Sequence, residues 1–581
     1  MTVLPIQRSA GLRWPWLLDV TLGLLVVAAL PLAVVTIPNT LSVVAKLLPG
    51  DADQVGLMRT HGLALPALML TVPLAAAALR RVSVVHVLLG GLVLVALSDV
   101  AGGYAGSEFV VGVVRVLRGV GAGLIIPATL TAVWSRSPVL RALWVGVFSL
   151  SLLAAQALAL WPLDQAHSWK ITLQPYPLLT GIALALAGAY VIVWLLLGVH
   201  AAPGLDDGER NRLLLAAVPA AGIAVVGVAT ATEGWRAIPV IALAVVALVA
   251  LLALASIGTV ESRTLAYTMV AVGVVLLPSA AQMTMVEMGG LGGPGLNGLW
   301  APYGVAAVLA VGASVTVRRL GRPSARWRAP LGLLAMVAGL CSVRLLVPSA
   351  DGLVLVVPFS LMAVGAAVAL TSALEEVAIG AAVFGLSLGL AGVLAGFLLG
   401  TGVQMAVLDG VSSVQELVDS FVGALHAWAL VGGFFVVVMI ALTALMARKA
   451  AKAVAHVPCA GPVVTAGEID DDVPAEDGPI AFGAESAFGA ESSAADASGA
   501  RQWGDGKAVR PPGTPPEGNA EAGRSSVSDG KAGRSSRRDG EAGRSPRGDG
   551  EAGRSPRGEA EDGRLPAVPP QGHSPEDPGP S

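Results

Sequence analysis

The chain has few of the residues that build disulfide frameworks and metal sites. Of its 581 residues only two are cysteines, Cys341 in an apolar stretch and Cys459 in a polar one, and seven are histidines. Two cysteines exclude a disulfide framework and a cysteine-based metal site. No cluster of histidines or carboxylates stands out as a set of metal ligands, so we expect neither a metal nor another cofactor.

Motifs for nucleotide hydrolysis and catalysis are missing as well. No Walker A sequence occurs, which argues against ATP hydrolysis by this chain, and no sizeable soluble domain separates the apolar stretches. A membrane enzyme acting on lipid needs paired carboxylates or a histidine cluster, and the sequence shows neither. We therefore expect no enzymatic activity, and we expect no nucleic-acid partner. The net charge of -3 averages a basic membrane part and an acidic tail, so it says little about partners.

Charge is scarce because long apolar stretches fill the chain from about Trp16 to Met446. Hydrophobic residues make up 54% of the chain and charged residues 13%. A helix needs ~20 apolar residues to cross ~30 Å of hydrocarbon, whereas barrel strands alternate polar and apolar residues over about ten positions. The sequence predicts an all-α integral membrane protein with about 14 transmembrane helices. The predicted spans are 16–38, 56–79, 83–104, 109–134, 140–162, 176–199, 212–232, 237–257, 264–287, 298–318, 329–348, 352–373, 377–403 and 421–446.

The distribution of Lys and Arg predicts the orientation of these helices. Acidic residues such as Asp51, Asp53 and Asp409 dominate the outer loops. No clear cleavage site follows the first apolar stretch, which we interpret as a retained helix. We expect a multi-pass protein of the cytoplasmic membrane with both termini in the cytoplasm. The inner loops then collect the basic residues Arg80, Arg81, Arg136, Arg141, Arg210, Arg212, Arg263, Arg318, Arg319, Arg322, Arg326, Arg328, Arg448, Lys449 and Lys452.

The composition changes after about Pro458 to Gly, Pro, Ser, Ala and charged residues. AFGAES occurs twice at 481–492, and AGRS recurs within a ten-residue unit. Such a segment has too few apolar residues to bury a core, and it predicts a disordered cytoplasmic tail over 451–581. Two interpretations are open. The tail is either a low-complexity extension without a specific role, or a partner-binding tail that is phosphorylated at Ser545 or Ser555.

Ionisable side chains at membrane depth are the first candidates for function, because each is costly unless it is paired or hydrated. Arg115 and Arg118 lie in RVLRGVGAGLIIP. Counting ~1.5 Å per residue from Glu108 at the outer edge of the membrane places Arg115 about 10 Å below that edge. Asp99 lies at a similar predicted depth. One interpretation is a structural ion pair between Asp99 and either arginine. The other places an arginine in a hydrated cavity, where it binds an anionic group or changes the proton affinity of a carboxylate.

Several weaker candidates have an equally ordinary explanation. Asp19 near the inner surface is typical of a helix anchor, and Glu287 lies among methionines that often serve only for packing. Gln156 and Gln282 are candidates for hydrogen bonds to a substrate, but such amides also join helices in membranes.

The fourth predicted span carries a family resemblance. FVVGVVRVLRGVGAGLIIPATLTAVW, at 109–134, resembles the fourth-helix motif of the major facilitator superfamily, especially its fourteen-helix drug:proton antiporter branch. That motif has an arginine, then two residues, then usually a glutamine and a glycine; here Arg115 matches the arginine, Arg118 replaces the glutamine and Gly119 matches the glycine. SWK, GGLGGPGLNGLWAPYG and SFVGALHAW extend the similarity over about 14–450.

The resemblance implies a fold and a function. The fold is two six-helix bundles, 1–204 and 261–450, with two inserted helices in 205–260 and a substrate cavity at the bundle interface. The function is secondary transport, with export of a small amphipathic drug or metabolite by alternating access. The implied substrate or coupling residue is Arg115. The expected partners are a small-molecule substrate, membrane lipid and protons, and the expected state is a monomer.

The chain also departs from the family pattern. AAAALRRVSVVH keeps Arg80 and Arg81 for the inner gate loop but lacks the usual aspartate, and GVFSLSLLAAQALALWPL lacks the usual Gly-Pro pair. Proton coupling is therefore left open. The alternative is a non-transporting membrane scaffold or regulator that acts through its tail. A hydrated cavity that reaches Arg115 is expected for transport, and a dry, salt-bridged Arg115 for the scaffold.

Overall fold

A computed structural model describes residues 15–48, 53–164, 166–197, 207–230, 234–288, 293–320, 325–375 and 377–455. They belong to the first of two units of the chain, Met1–Gly467; the second, Glu468–Ser581, lies outside the described residues, as does the predicted tail beyond residue 455. The α-helices are α1 (Pro15–Val34), α2 (Gln54–His61), α3 (Ala64–Ala78), α4 (Val84–Gly103), α5 (Glu108–Trp134), α6 (Pro138–Leu160), α7 (Pro177–Leu197), α8 (Asp207–Ala229), α9 (Ala237–Ala255), α10 (Val260–Glu287), α11 (Gly295–Gly298), α12 (Trp300–Arg319), α13 (Ala325–Leu346), α14 (Val356–Leu374), α15 (Ile379–Val407) and α16 (Val414–Ala455).

Helical segments of membrane-spanning length account for most of the described chain. Fourteen of them are long and apolar enough to cross a bilayer. Their number matches the prediction, and their positions agree with the predicted spans to within a few residues at most ends. The last helix is longer at both ends than the predicted 421–446. The all-helical fold expected from the sequence is therefore confirmed for the described residues, and the fourteen helices support a multi-pass membrane protein.

The second predicted span, 56–79, is interrupted. α2 ends at His61, and α3 begins after a gap of two residues. The carbonyl oxygen of His61 accepts a hydrogen bond of 2.7 Å from Nε of Arg115 instead of one from its own helix. Pro66 has no N–H to donate to the carbonyl of Gly62. The break thus follows from a buried arginine and a proline, and Gly62 and Leu63 within it keep right-handed helical φ and ψ angles.

The same helix packing occurs twice in the chain. In the first half, α1 to α7, α5 packs on α3 and α4, α1 packs on α5, α6 and α7, and α4 packs on α7. In the second half, α10 to α16, α14 packs on α12 and α13, α10 packs on α14, α15 and α16, and α13 packs on α16. Each of these six contacts in the first half thus has a counterpart in the second half. The correspondence matches, in order, α1, α3, α4, α5, α6 and α7 with α10, α12, α13, α14, α15 and α16.

The two halves meet along two seams. α6 packs on α10, α12 and α14, while α3 and α5 pack on α15. α8 contacts both α3 and α15, and α9 packs on α15. The α8–α9 pair therefore covers the seam where α3 of the first half meets α15 of the second.

Candidate functional site

A cavity of about 650 Å³ lies between the two halves, and α8 contributes to its wall. Its volume is in the range of sites that hold a drug-sized ligand. Much of the wall is apolar, including Leu65, Leu394, Phe397 and Phe421. The polar side chains that line it are Asn39, Arg59, Gln156, Gln282, Thr401 and Gln404.

The cavity lies towards one end of the bundle. We call this the outer end; it carries the turns at 104–107 and 408–413, which the sequence prediction places outside. The opposite, inner end carries the turns at 79–83 and 135–137. Lining side chains such as Met285 and Leu417 are 42% and 40% exposed. The cavity is partly open, and Leu417 lies just after the outer turn at 408–413.

An apolar layer closes the cavity towards the inner end. Phe148 and Leu152 of α6 face Met269 of α10 and Leu390 and Val393 of α15 around a gap of only about 10 Å³. A gap of that size holds about one water molecule at most, and an apolar lining offers that water no hydrogen bonds. The described residues around this gap therefore offer water no hydrogen-bonded path towards the inner end.

A charged cluster forms a second closure at the inner end. Glu375, just after α14, lies 3.3 Å from Nη1 of Arg318 and 4.0 Å from Nη1 of Arg328. Arg141 of α6 lies over the ring of Trp134, with its guanidinium carbon 5.5 Å from the ring centroid. Arg141 and Arg318 line the same small gap, and Arg141 interacts electrostatically with both Arg318 and Glu375. One carboxylate thus faces arginines of both halves.

We expect Glu375→Gln to loosen the inner end, because three arginines then face one another without that carboxylate. The probe is Ala142→Cys, which replaces a buried residue in the small gap beside Arg141, in a background carrying Cys341→Ser and Cys459→Ser. Losing the shared carboxylate costs the closed arrangement at least about 1–2 kcal/mol, so maleimide labelling in nanodiscs should rise about five- to thirtyfold.

The control for this experiment is Glu261→Gln, which neutralises an exposed carboxylate in the first turn of α10 at the same end of the bundle. Its labelling should equal that of the parent. Equal labelling in Glu375→Gln and the parent would show that the cluster does not hold the inner end closed.

Asp99 pairs with Arg118 and not with Arg115. The distance from Asp99 Oδ1 to Arg118 Nη1 is 3.1 Å, and the other carboxylate oxygen accepts a 2.6 Å hydrogen bond from the hydroxyl of Thr180. Arg118 Nη1 also donates to the carbonyl oxygen of Leu173. Both charged side chains are buried, so this network joins α4, α5 and α7 within the first half.

Arg115 is buried away from the cavity. Its side chain is 2% exposed, and it donates to the carbonyl oxygens of His61, Thr36 and Pro38 at 2.7, 2.8 and 3.2 Å. These carbonyls belong to the end of α2 and to the chain that follows α1. Arg115 is thus dry but has no ion-pair partner among the described residues, which matches neither of the two arrangements expected for it.

The basic and acidic candidates of the inner end form local contacts. Asp19 of α1 lies 2.6 Å from Nε of Arg136, at the turn between α5 and α6. Arg80 is half-buried and Arg81 is exposed at the turn after α3. None of these residues lines the cavity.

Two of the weaker candidates do line the cavity. Gln156 of the first half donates from Nε2 to the sulfur of Met285 of the second half at 3.7 Å. Gln282 has a buried amide oxygen without a hydrogen-bond partner among the described residues. Glu287 is buried but does not line the cavity; its Oε1 accepts a 3.1 Å hydrogen bond from the backbone N–H of Ser349.

The sequence reasoning missed Arg59. This residue lies in α2, in QVGLMRTH, and is the one ionisable residue among the described residues that line the cavity. A weak signal was present, since Arg59 is an arginine in the first turn of the second predicted span, 56–79. Nothing in the sequence distinguished it from an arginine that reaches the membrane surface.

We compared the chain with known proteins. No protein-family model matches it, and the search of curated proteins found no significant similarity.

Proposed function

We propose that the chain is a secondary transporter of the major facilitator type that exports a small amphipathic molecule by alternating access. The observation that carries the proposal is the cavity between the two halves, which is open at the outer end and closed at the inner end by the apolar layer and the Glu375 cluster. This is the arrangement expected of one of the two end states of such a transporter.

The repeated packing supports the fold-level part of the proposal. Six helix pairings recur in the two halves, as expected for an internal structural repeat. In this proposal the chain has a first bundle in 1–204, an inserted pair in 205–260 and a second bundle in 261–450. The position of α8 and α9 at the seam between α3 and α15 fits an insertion that leaves both bundles intact.

The buried arginines fit a rigid first half. Arg115 and Arg118 contact carbonyls and a carboxylate of the first half alone among the described residues. Rocking of the halves does not need to break these bonds. In this proposal Arg115 and Arg118 preserve the shape of the first bundle, and the contacts that change lie at the inner closure around Arg141 and Glu375.

The scaffold interpretation keeps one observation in its favour, which is the dry environment of Arg115. An open cavity of drug-binding size has no evident use in a scaffold, and this favours transport.

The test is efflux from cells that express the wild type, Gly146→Val or an empty vector. Gly146 of α6 contacts α12, where a Cβ would lie 2.8 Å from Cα of Val311. A valine there forces the two halves apart at the inner side. We expect the wild type to expel at least one dye from a panel of charged and neutral amphiphiles, and Gly146→Val at equal abundance to lose most of this efflux.

The matched control is Gly312→Val on α12, since a Cβ at Gly312 has no neighbour within 4 Å. This variant should export like the wild type. A protonophore added to the wild type tests proton coupling. If the wild type retains every dye as the vector does, and a metabolite panel is equally negative, the scaffold interpretation replaces transport.

A further inference from the structure

The cavity combines a mainly apolar wall with a single positive charge. Among its described lining residues, Arg59 is the one charged side chain; the other polar groups are amides and a threonine hydroxyl. No carboxylate is among the lining residues that the structure describes. A cationic amphiphile would therefore meet an uncompensated like charge, and an uncharged one would leave the guanidinium without a partner.

Arg59 has no partner of its own in the described structure. Its side chain is half-buried, and its Nε is buried without a hydrogen-bond acceptor among the described residues. Three other arginines have partners: Arg115 binds carbonyls, Arg118 binds Asp99, and Arg318 binds Glu375. Arg141 and Arg263 share a buried Nε without an acceptor among the described residues, but neither lines the cavity. A buried guanidinium N–H without an acceptor is costly. A ligand that supplies an anionic oxygen would offset this cost.

Two nearby acidic residues, Asp53 and Glu108, form no ion pair with Arg59. Asp53 caps α2 by accepting from the N–H of Val55, and Glu108 lies beside Gly56, one turn before Arg59. Both carboxylates are exposed, and neither forms an ion pair with Arg59.

The acidic residues in the first two turns of α16, Glu416 and Asp419, accept hydrogen bonds from groups other than Arg59. Glu416 accepts hydrogen bonds from the backbone N–H and the hydroxyl of Ser412, and Asp419 accepts from the amide of Gln415. Both carboxylates are exposed, and neither lines the cavity.

The position of Arg59 is held firmly. Asn39 donates from its side-chain amide to the carbonyl of Met58 at 2.8 Å and accepts from the N–H of Leu41. The carbonyl of His61, two residues after Arg59, accepts from buried Arg115. Contacts on both sides of Arg59 thus fix the end of α2 against the rest of the first half. The amide of Asn39 forms these bonds and that of Gln156 contacts Met285. The other polar lining side chains available to a ligand are Arg59, Gln282, Thr401 and Gln404.

We infer that the cavity selects amphiphiles with a single anionic group, a carboxylate, sulfonate or phosphate, whose charge binds Arg59 while the apolar body lies against Leu394, Phe397 and Phe421. The inference rests on the proposed function and names its substrate class. An arginine fork matches the planar or trigonal oxygens of these groups, and the amides of Gln282 and Gln404 add further donors.

The test is direct binding to the full chain in nanodiscs of zwitterionic lipid. The probes are two fluorescent amphiphiles of the same ring system, anilinonaphthalene sulfonate and its uncharged relative N-phenylnaphthylamine. We expect the sulfonate to bind more tightly than the neutral probe. Arg59→Gln should weaken sulfonate binding about tenfold or more and leave the neutral probe unchanged. Arg59→Lys keeps the charge and should recover part of the affinity.

The matched control is Arg236→Gln, which neutralises an exposed arginine at the outer end that does not line the cavity. It should bind both probes like the wild type. Equal loss of both probes in Arg59→Gln would show a structural role for Arg59, and unchanged sulfonate binding would show that its charge is not used; either result overturns the inference.

Two further arms separate the possible outcomes. Adding phosphatidylglycerol to the nanodiscs identifies the source of the anion: displacement of the sulfonate assigns an anionic lipid, and no displacement assigns a soluble amphiphile.

Efflux separates the two proposals. Arg59-dependent binding without export by the wild type would refute transport and keep the anion site. Export without Arg59-dependent binding would refute the anion site and keep transport.

Discussion

Arg118→Met is expected to remove most of the protein from the membrane fraction. The change leaves the carboxylate of Asp99 buried with only the hydroxyl of Thr180 as a hydrogen-bond donor among the described residues. It also removes the donor to the carbonyl of Leu173. Breaking a buried ion pair by removing one partner costs about 3–5 kcal/mol. That is comparable with the whole stability of many domains, so the first half should fail to fold in most molecules.

The measurement is membrane abundance together with the thermal midpoint of the detergent-purified protein. Adding Asp99→Asn to Arg118→Met removes the unpaired charge and keeps an acceptor for Thr180, so it should restore a large part of both values. Arg319→Met, at an exposed arginine of α12, should match the wild type. Wild-type abundance and midpoint for Arg118→Met alone would contradict a structural role for the pair.

Gly123→Val is expected to produce the second large loss. α5 passes between α3 and α4, and a Cβ at Gly123 would lie 2.6 Å from Cβ of Thr71 and 2.7 Å from the carbonyl oxygen of Leu68. On the opposite face, a Cβ at Gly121 would lie 2.7 Å from the carbonyl oxygen of Gly91. The nearest obstructing atoms at Gly123 are a backbone oxygen and a Cβ whose position the backbone fixes, so rotamer changes cannot move them. Overpacking costs about 1–3 kcal/mol or more, and this close contact places Gly123→Val at the upper end.

The measurement is again abundance and thermal midpoint, with Gly188→Val as the control. Gly188 lies in the middle of α7, and a Cβ there meets nothing within 4 Å. Both variants add the same side chain to a membrane helix, so their difference isolates the effect of close helix packing. Equal midpoints for the two would show that α5 can move away from α3 without cost.

The sequence predicted the helices well because hydrophobicity alone determines them. A stretch of ~20 apolar residues has few alternatives to a membrane-spanning helix, since the backbone must satisfy its own hydrogen bonds in hydrocarbon. Asp99 was also identified as a partner of an arginine from its predicted depth. The interruption of the span 56–79 was not predicted, because it depends on a hydrogen bond to Arg115, which is 54 residues away from His61.

The sequence alone determined that this chain is a multi-pass helical membrane protein, since length and composition settle that question locally along the chain. Only the tertiary structure decided which polar residues share a cavity. Arg115 and Arg59 both lie in predicted membrane spans, yet Arg115 is enclosed by carbonyls and Arg59 faces the space between the halves. The physical reason is that helix rotation and helix contacts, not hydrophobicity, decide whether a buried charge is paired or free to bind.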